Sequence, residues 1–129
     1  MELNLNGKVA IVTGGSKGIG KGIAASLLKE GACGVITARN ADELEDTAAM
    51  FRLQGGEVLA VVADMSREAD LQRLVTAAMQ QYGRIDILVN NAGGIGSVGP
   101  LDTISMQQWR QVFEVNFFGL VALTALVVP

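Results

Sequence analysis

Val9-Ala10-Ile11-Val12-Thr13-Gly14-Gly15-Ser16-Lys17-Gly18-Ile19-Gly20 is the stretch that decides the fold. An apolar run leads into a glycine-rich turn, and an amphipathic segment opens near Gly18. Strand, glycine turn and helix in this order grip a phosphate group. Backbone N–H groups approach the anion, and the helix N-terminus adds a partial positive charge. Glycines at 14, 18 and 20 keep Cβ atoms out of the way. The spacing is T-G-x-x-x-G-x-G. It is not G-x-G-x-x-G, which would need a glycine at 23, where Ile23 stands.

Outward from this turn, apolar runs alternate with helical periodicity. Residues 8–13 read as a first strand. A helix follows with Ile19, Ile23, Ala24, Leu27 and Leu28 on one face, and Gly31 ends it. Residues 35–38 form a second strand. Asn40 then caps a helix that buries Leu44, Ala48 and Phe51. Gly55-Gly56 turns the chain into a third strand at 58–63. Ser66 is expected to cap the next helix, whose stripe is Leu71, Leu74, Val75, Ala78, Met79 and Tyr82, and Gly83 stops it. A fourth strand at 85–89 runs into Asn90-Asn91-Ala92-Gly93, and residues 94–100 form a glycine-rich loop. A last helical stretch begins near Ser105 and carries Trp109, Val112, Phe113, Phe117 and Leu120, with Asn116 in the same stripe.

Strands alternating with helices imply an α/β fold with a parallel sheet and helices on both faces. Right-handed crossovers give a doubly wound sheet of about four strands, in the order 3-2-1-4. A ligand then sits at the C-terminal strand ends, near the switch between the first and fourth strands. The glycine loop, Arg39, Asp64 and Asn91 all fall at those ends.

The chain has 129 residues, half of them hydrophobic and 18% charged, which is enough to bury the core of a single domain. Its net charge of −3, with no basic run, argues against nucleic acid as a partner. There is no histidine, so Ser-His-Asp and Cys-His chemistry are excluded and the commonest metal ligand is missing. Cys33 is the single cysteine, most simply a small buried hydrophobe. No metal site is expected, and a reducing compartment is. Residues 1–8 lack the apolar core of a signal peptide. The apolar stretch from Phe117 to Val128 is broken by Gly119 and Thr124 and falls short of the roughly 20 residues of a membrane span. A cytoplasmic protein without a membrane segment is expected.

Several residues carry chemistry. The end of the second strand holds Ala38 and Arg39, not the carboxylate that often binds a ribose 2′-hydroxyl in dinucleotide folds. Lys17 in the glycine loop faces the same region. Two cations there suit a 2′-phosphate, each contributing on the order of 4 kcal/mol at most at contact distance, and arginine clamps phosphate through two N–H groups. Both are otherwise ordinary surface charges. NADP(H) is therefore favoured over NAD(H). Asp64, in Ala63-Asp64-Met65-Ser66, either accepts a hydrogen bond from an adenine amino group or serves the start of the next helix. Asn90 to Gly93 either tie strand ends together beside a ribose or make a plain turn. Asn116 is a core hydrogen-bonding residue or has a chemical role; if buried without partners it would cost about 1–3 kcal/mol.

In order and approximate spacing these pieces resemble the short-chain dehydrogenase/reductase family, from Gly7 to Pro129, and are similar to its 3-oxoacyl-carrier-protein reductase-like members. The successive signatures are Thr13-Gly14 through Gly20, Asp64, Asn90-Asn91-Ala92-Gly93, and Asn116 after Trp109. The resemblance implies a Rossmann-type domain over 1–129. It also implies that Gly14, Ser16, Lys17, Gly18, Ile19, Gly20, Arg39, Asn40, Asp64, Met65, Asn91, Ala92 and Gly93 line an NADP(H) site. Asn116 matches the asparagine of the family's Asn-Ser-Tyr-Lys set, where it helps hold a proton-relay water. The family reaction is reversible hydride transfer between NADPH and a ketone or secondary alcohol. The helix from Trp109 to Val128 implies a homo-oligomer formed through it.

The sequence departs from the family where the proton donor is due. No Tyr-x-x-x-Lys occurs, since Tyr82 is the single tyrosine and Asp86 stands four residues on. The chain by itself is therefore expected to be inactive as a reductase, a shortened member of the family. The alternative is a non-catalytic nucleotide-binding or dimerisation module.

Overall fold

The computed structural model describes residues 3–93 and 103–128; the loop expected at 94–100 lies outside them. Four strands form one sheet: β1 (Val9–Thr13), β2 (Cys33–Ala38), β3 (Val58–Val62) and β4 (Ile87–Val89). Their order is β3-β2-β1-β4 and every pairing is parallel. Between them run α1 (Gly18–Lys29), α2 (Ala41–Leu53) and α3 (Glu68–Tyr82). After β4 come α4 (Met106–Phe113), a π-helical segment (Glu114–Gly119) and α5 (Leu120–Val127). This is the Rossmann-like α/β arrangement that the alternation of strands and helices predicts.

The period of two along the strands divides the core between the faces of the sheet. Val9, Ile11 and Val35 pack on one side with Leu71, Leu74 and Ala78 of α3 and Leu123 of α5. Val12 and Ile36 pack on the other with Ala24 of α1 and Leu44, Ala48 and Phe51 of α2. Leucines buried as fully as Leu74 and Leu123 contribute about 1.5–3 kcal/mol each. β1 is buried at every position, as the central strand of a two-sided sheet must be. Its partner β4 is an outer strand whose start is held by Asp86. That carboxylate accepts the Val9 N–H at 2.9 Å and two N–H groups of the Arg84 guanidinium at 2.8 and 2.7 Å.

Local signals set most boundaries. The Asn40 side chain accepts the Glu43 N–H at 3.0 Å and starts α2. Gly83 ends α3 in the left-handed region, φ 76°. Other expectations are corrected. Ser66 does not cap α3: Arg67 occupies the cap position without a side-chain bond, and the Ser66 hydroxyl donates to Asp64 at 2.6 Å instead. Ile19 is not on the buried face of α1 but 77% exposed at its first turn, and Met79 is also exposed. β4 begins at Ile87, two positions later than the sequence pattern suggests.

The last helical stretch is α-helical only in part, with a π-helical segment between α4 and α5. Phe113, Phe117 and Leu120 of the apolar stripe are exposed, as are Phe118, Val121 and Leu126. Leu123 is fully buried instead. The π-helical turn shifts the phase between α4 and α5, so one 3.6-residue stripe does not describe both. By length and composition, the continuous helix Met106–Val127 is also long and apolar enough to cross a membrane, at 22 residues. The sequence reading had confined the apolar stretch to its second half.

Candidate functional site

A cleft of about 590 Å³ opens at the C-terminal ends of the strands. Its lower wall is the glycine loop. Gly14 and Gly15 both donate their N–H groups to Thr37 O, at 2.9 and 3.2 Å, which fastens the loop to the end of β2. Gly14 and Gly18 adopt φ 67° and 58°, a conformation that favours glycine. A Cβ on Gly14 would stand 3.1 Å from both Ala92 Cα and Asn91 Nδ2. Two further contacts fix the loop from opposite sides. Asn91 Nδ2 donates to Gly14 O at 3.2 Å, and the Thr47 hydroxyl of α2 donates to Ser16 O at 2.8 Å.

The end of β4 is held by Thr13. Its Oγ1 accepts the N–H groups of Asn91 and Ala92, both at 2.9 Å, and donates to Val89 O at 3.3 Å. Thr13 is buried and takes no place in the cleft wall; it positions residues that do.

The loop presents α1 to the cleft as an uncapped N-terminus. Lys17 is the cap residue, its backbone is extended, no side chain satisfies the first N–H groups, and no acidic residue stands in the first turn. Such an end leaves donors and a partial positive charge for an anion. The donor set, with Gly14, Ser16 and Lys17 lining the cleft beside it, fits the pyrophosphate of a dinucleotide.

Among the described residues, the charged groups around the cleft are Lys17, Arg39, Glu43 and Asp64. Arg39 is exposed and makes no ion pair among the described residues. Lys17 Nζ lies 4.0 Å from Glu43 Oε1. Asp64 Oδ1 accepts both the hydroxyl and the N–H of Ser66, at 2.6 and 2.9 Å. The hydrogen bond from the Ser66 hydroxyl holds the Asp64 carboxyl below the usual carboxylate range, and Arg39 adds to the effect. Asp64 stays ionised and keeps accepting capacity toward the cleft. The Asp64 N–H is itself fixed by Asp70 Oδ2 at 2.9 Å. The Thr37 hydroxyl, in the cleft wall, is buried without a hydrogen-bond partner among the described residues.

Of the residues expected at a site, the structure brings Gly14, Ser16, Lys17, Arg39, Asn40, Asp64, Met65, Asn91, Ala92, Gly93 and Asn116 to the cleft wall. Gly18, Ile19 and Gly20 stand outside it. Gly20 is buried behind the loop, where a Cβ would collide with Gly14 O and Asn91 Nδ2. Asn116 is exposed at the cleft, not buried in a core stripe, and its Oδ1 lies 2.8 Å from where a Cβ on Gly93 would be. The sequence reading missed Glu43, Gln108, Gln111, Val112 and Val115 as cleft residues. Glu43 had a readable signal, three positions after the cap Asn40, which turns it back toward the loop.

A parallel α/β sheet with a glycine loop, an uncapped helix end and polar groups gathered at its switch point defines a dinucleotide-binding fold. The chain belongs to the short chain dehydrogenase family, whose pattern matches residues 8–129. It is 40% identical over 121 residues to an uncharacterized oxidoreductase of Methylorubrum extorquens, covering 93% of this chain and 48% of that protein. It is 39% identical over 128 residues to the 7alpha-hydroxysteroid dehydrogenase of Escherichia coli, covering 99% and 49%. Among solved structures, 3-ketoacyl-(acyl-carrier-protein) reductase from Brucella melitensis complexed with NADH superimposes with a TM-score of 0.90 at 36% identity, over 97% of this chain and 50% of that one. A metagenomic short-chain oxidoreductase in complex with NADP gives 0.88 at 36% identity, over 94% and 55%. The chain thus spans about half the length of these relatives.

Proposed function

We propose that this chain is the nicotinamide-dinucleotide-binding part of a carbonyl reductase or alcohol dehydrogenase, with NADP(H) preferred over NAD(H). The gathering of the glycine loop, Arg39, Asp64 and Asn91 around one cleft carries this reading. The first N–H groups of α1 and the loop would receive the pyrophosphate, Asp64 the adenine amino group, and Asn91 to Gly93 the ribose on the nicotinamide side. Lys17 and Arg39 would receive a 2′-phosphate. The bound dinucleotide supplies or takes up a hydride.

Asn116 stands at the cleft and in this reading holds a water for proton relay. A proton donor to a carbonyl oxygen is what the described cleft lacks, and the sequence contains no Tyr-x-x-x-Lys. The chain alone is therefore inactive on small carbonyl compounds and alcohols, which in this reading only a full-length member of the family converts. It works in the cytoplasm, with neither membrane nor nucleic acid as a partner.

A titration with NADPH and separately with NADH, by calorimetry, tests the reading. Binding in the micromolar range that favours NADPH supports it. Failure to bind either dinucleotide overturns it.

A second reading is favoured by one observation. Phe113, Phe117, Phe118 and Val121 expose apolar surface along the last helices. A non-catalytic nucleotide-binding module that self-associates through this face accounts for the exposure. Sedimentation velocity of the chain with and without dinucleotide separates a monomer from a defined oligomer.

A further inference from the structure

We infer that Glu43 sets how strongly the cleft discriminates between dinucleotides with and without a 2′-phosphate. The inference rests on the reading of Lys17 and Arg39 as the groups that receive that phosphate. Among the described residues, two cations and two carboxylates line the cleft, Lys17 and Arg39 against Glu43 and Asp64, so their charges balance. Asp64 is engaged at the β3 end by Ser66. Glu43 is the carboxylate on the glycine-loop side. Its Oε1 accepts the Ser16 hydroxyl at 3.3 Å and lies 4.0 Å from Lys17 Nζ.

This placement is built. The Glu43 N–H is held by Asn40 Oδ1 at 3.0 Å, which locks the first turn of α2. Thr47, one helical turn on, fastens Ser16 O to the same helix at 2.8 Å. Ser16 is buried, so its hydroxyl anchors the carboxylate beside the loop. Glu43 therefore acts in two ways. It draws Lys17 toward α2, and it repels a dianionic group placed between Lys17 and Arg39. A dinucleotide with a 2′-hydroxyl has no second anionic group there, and the pyrophosphate common to both dinucleotides cancels from their ratio. The balance keeps NADH binding open while NADPH remains preferred.

Glu43→Gln removes the charge and keeps an oxygen to accept the Ser16 hydroxyl. Its expected result is a rise of about fivefold in NADPH affinity at low ionic strength, with NADH affinity unchanged within about twofold. The gain should shrink as salt is added, because the repulsion is screened. Glu45→Gln makes the same charge change on the same helix, at a residue paired with Arg52 at 3.0 Å and outside the cleft. It should leave both affinities alone. Arg39→Ala tests the underlying reading separately: it should lower the ratio of NADPH to NADH affinity. If Arg39→Ala lowers the ratio and Glu43→Gln does not raise it, the role of Glu43 is overturned and the 2′-phosphate reading stands. If Arg39→Ala leaves the ratio unchanged, both fall.

Discussion

The Thr13 hydroxyl oxygen accepts the backbone N–H of Asn91 at 2.9 Å, joining the end of β1 to the turn that leaves β4. The same oxygen accepts the Ala92 N–H. One side chain thereby accepts two donors of the turn after β4, the Asn91 N–H being shared with Val89 O at 3.1 Å, and it holds Asn91 beside the glycine loop. Thr13→Val keeps the shape and removes the acceptor. The expected loss is about 2 kcal/mol of stability, with weaker dinucleotide binding. Thr13→Ser retains the oxygen and should recover most of both. Urea denaturation of the three proteins checks this, and equal stability of the valine variant would refute it.

Gly20 and Gly22 lie on one helix and should respond oppositely to alanine. A Cβ at Gly20 runs into Gly14 O and the Asn91 amide, and the carbonyl belongs to a loop fixed on both sides. Gly20→Ala should cost about 2 kcal/mol or more and reduce dinucleotide affinity. At Gly22 a Cβ meets nothing within 4 Å, so alanine should stabilise α1 by up to about 1 kcal/mol. Thermal melts of both variants provide the comparison.

Asp86 gives the fold a defined acid sensitivity. Hydrogen bonds from Arg84 first, and from Val9 second, lower its pKa to about 2. The unfolded chain has an ordinary aspartate pKa of about 3.9. A depressed folded value means that the contribution is complete above about pH 4 and is lost as pH falls toward about 2. Asp86→Asn should be less stable at neutral pH and should show a shallower loss between those values. Denaturation curves taken from pH 7 down to pH 2 would expose an identical slope if Asp86 were uninvolved.

Gly119 seats the π-helical segment on the turn after β3. A Cβ there would strike Met65 O, a backbone atom beside Asp64. Gly119→Ala should therefore lift α5 from α3, uncover the Leu123 pocket and increase binding of an apolar dye, while the glycine loop keeps its form. An unchanged dye response would count against this packing.

Local chemistry was legible where a residue acts on its own neighbours. Asn40 as a cap and Gly83 as a stop need only short-range rules. So did the convergence of Arg39, Asp64 and Asn91, because a parallel sheet sends every strand's C-terminus to one side. Thr13 was not legible, since its partners lie 78 and 79 residues away and a strand-end threonine has many uses. Ser66 looked like a cap because the rule considers only the helix that follows. A carboxylate two residues earlier took its hydroxyl. The π-helical segment of the last helix was not legible, because a period of 3.6 was carried across residues that do not keep it.

That wide turn, Glu114–Gly119, lets one length of helix serve two unrelated orientations. Upstream, Gln108, Gln111 and Val112 line the cleft; downstream, Leu123 packs into the core beside α3. The extra residue works like an offset in a gear train, so neither half dictates the angle of the other. Removing one residue from it would restore a uniform helix and bring the two demands into conflict. Substitutions that tune the cleft wall can therefore accumulate in α4 without dragging the anchor in α5 out of its seat.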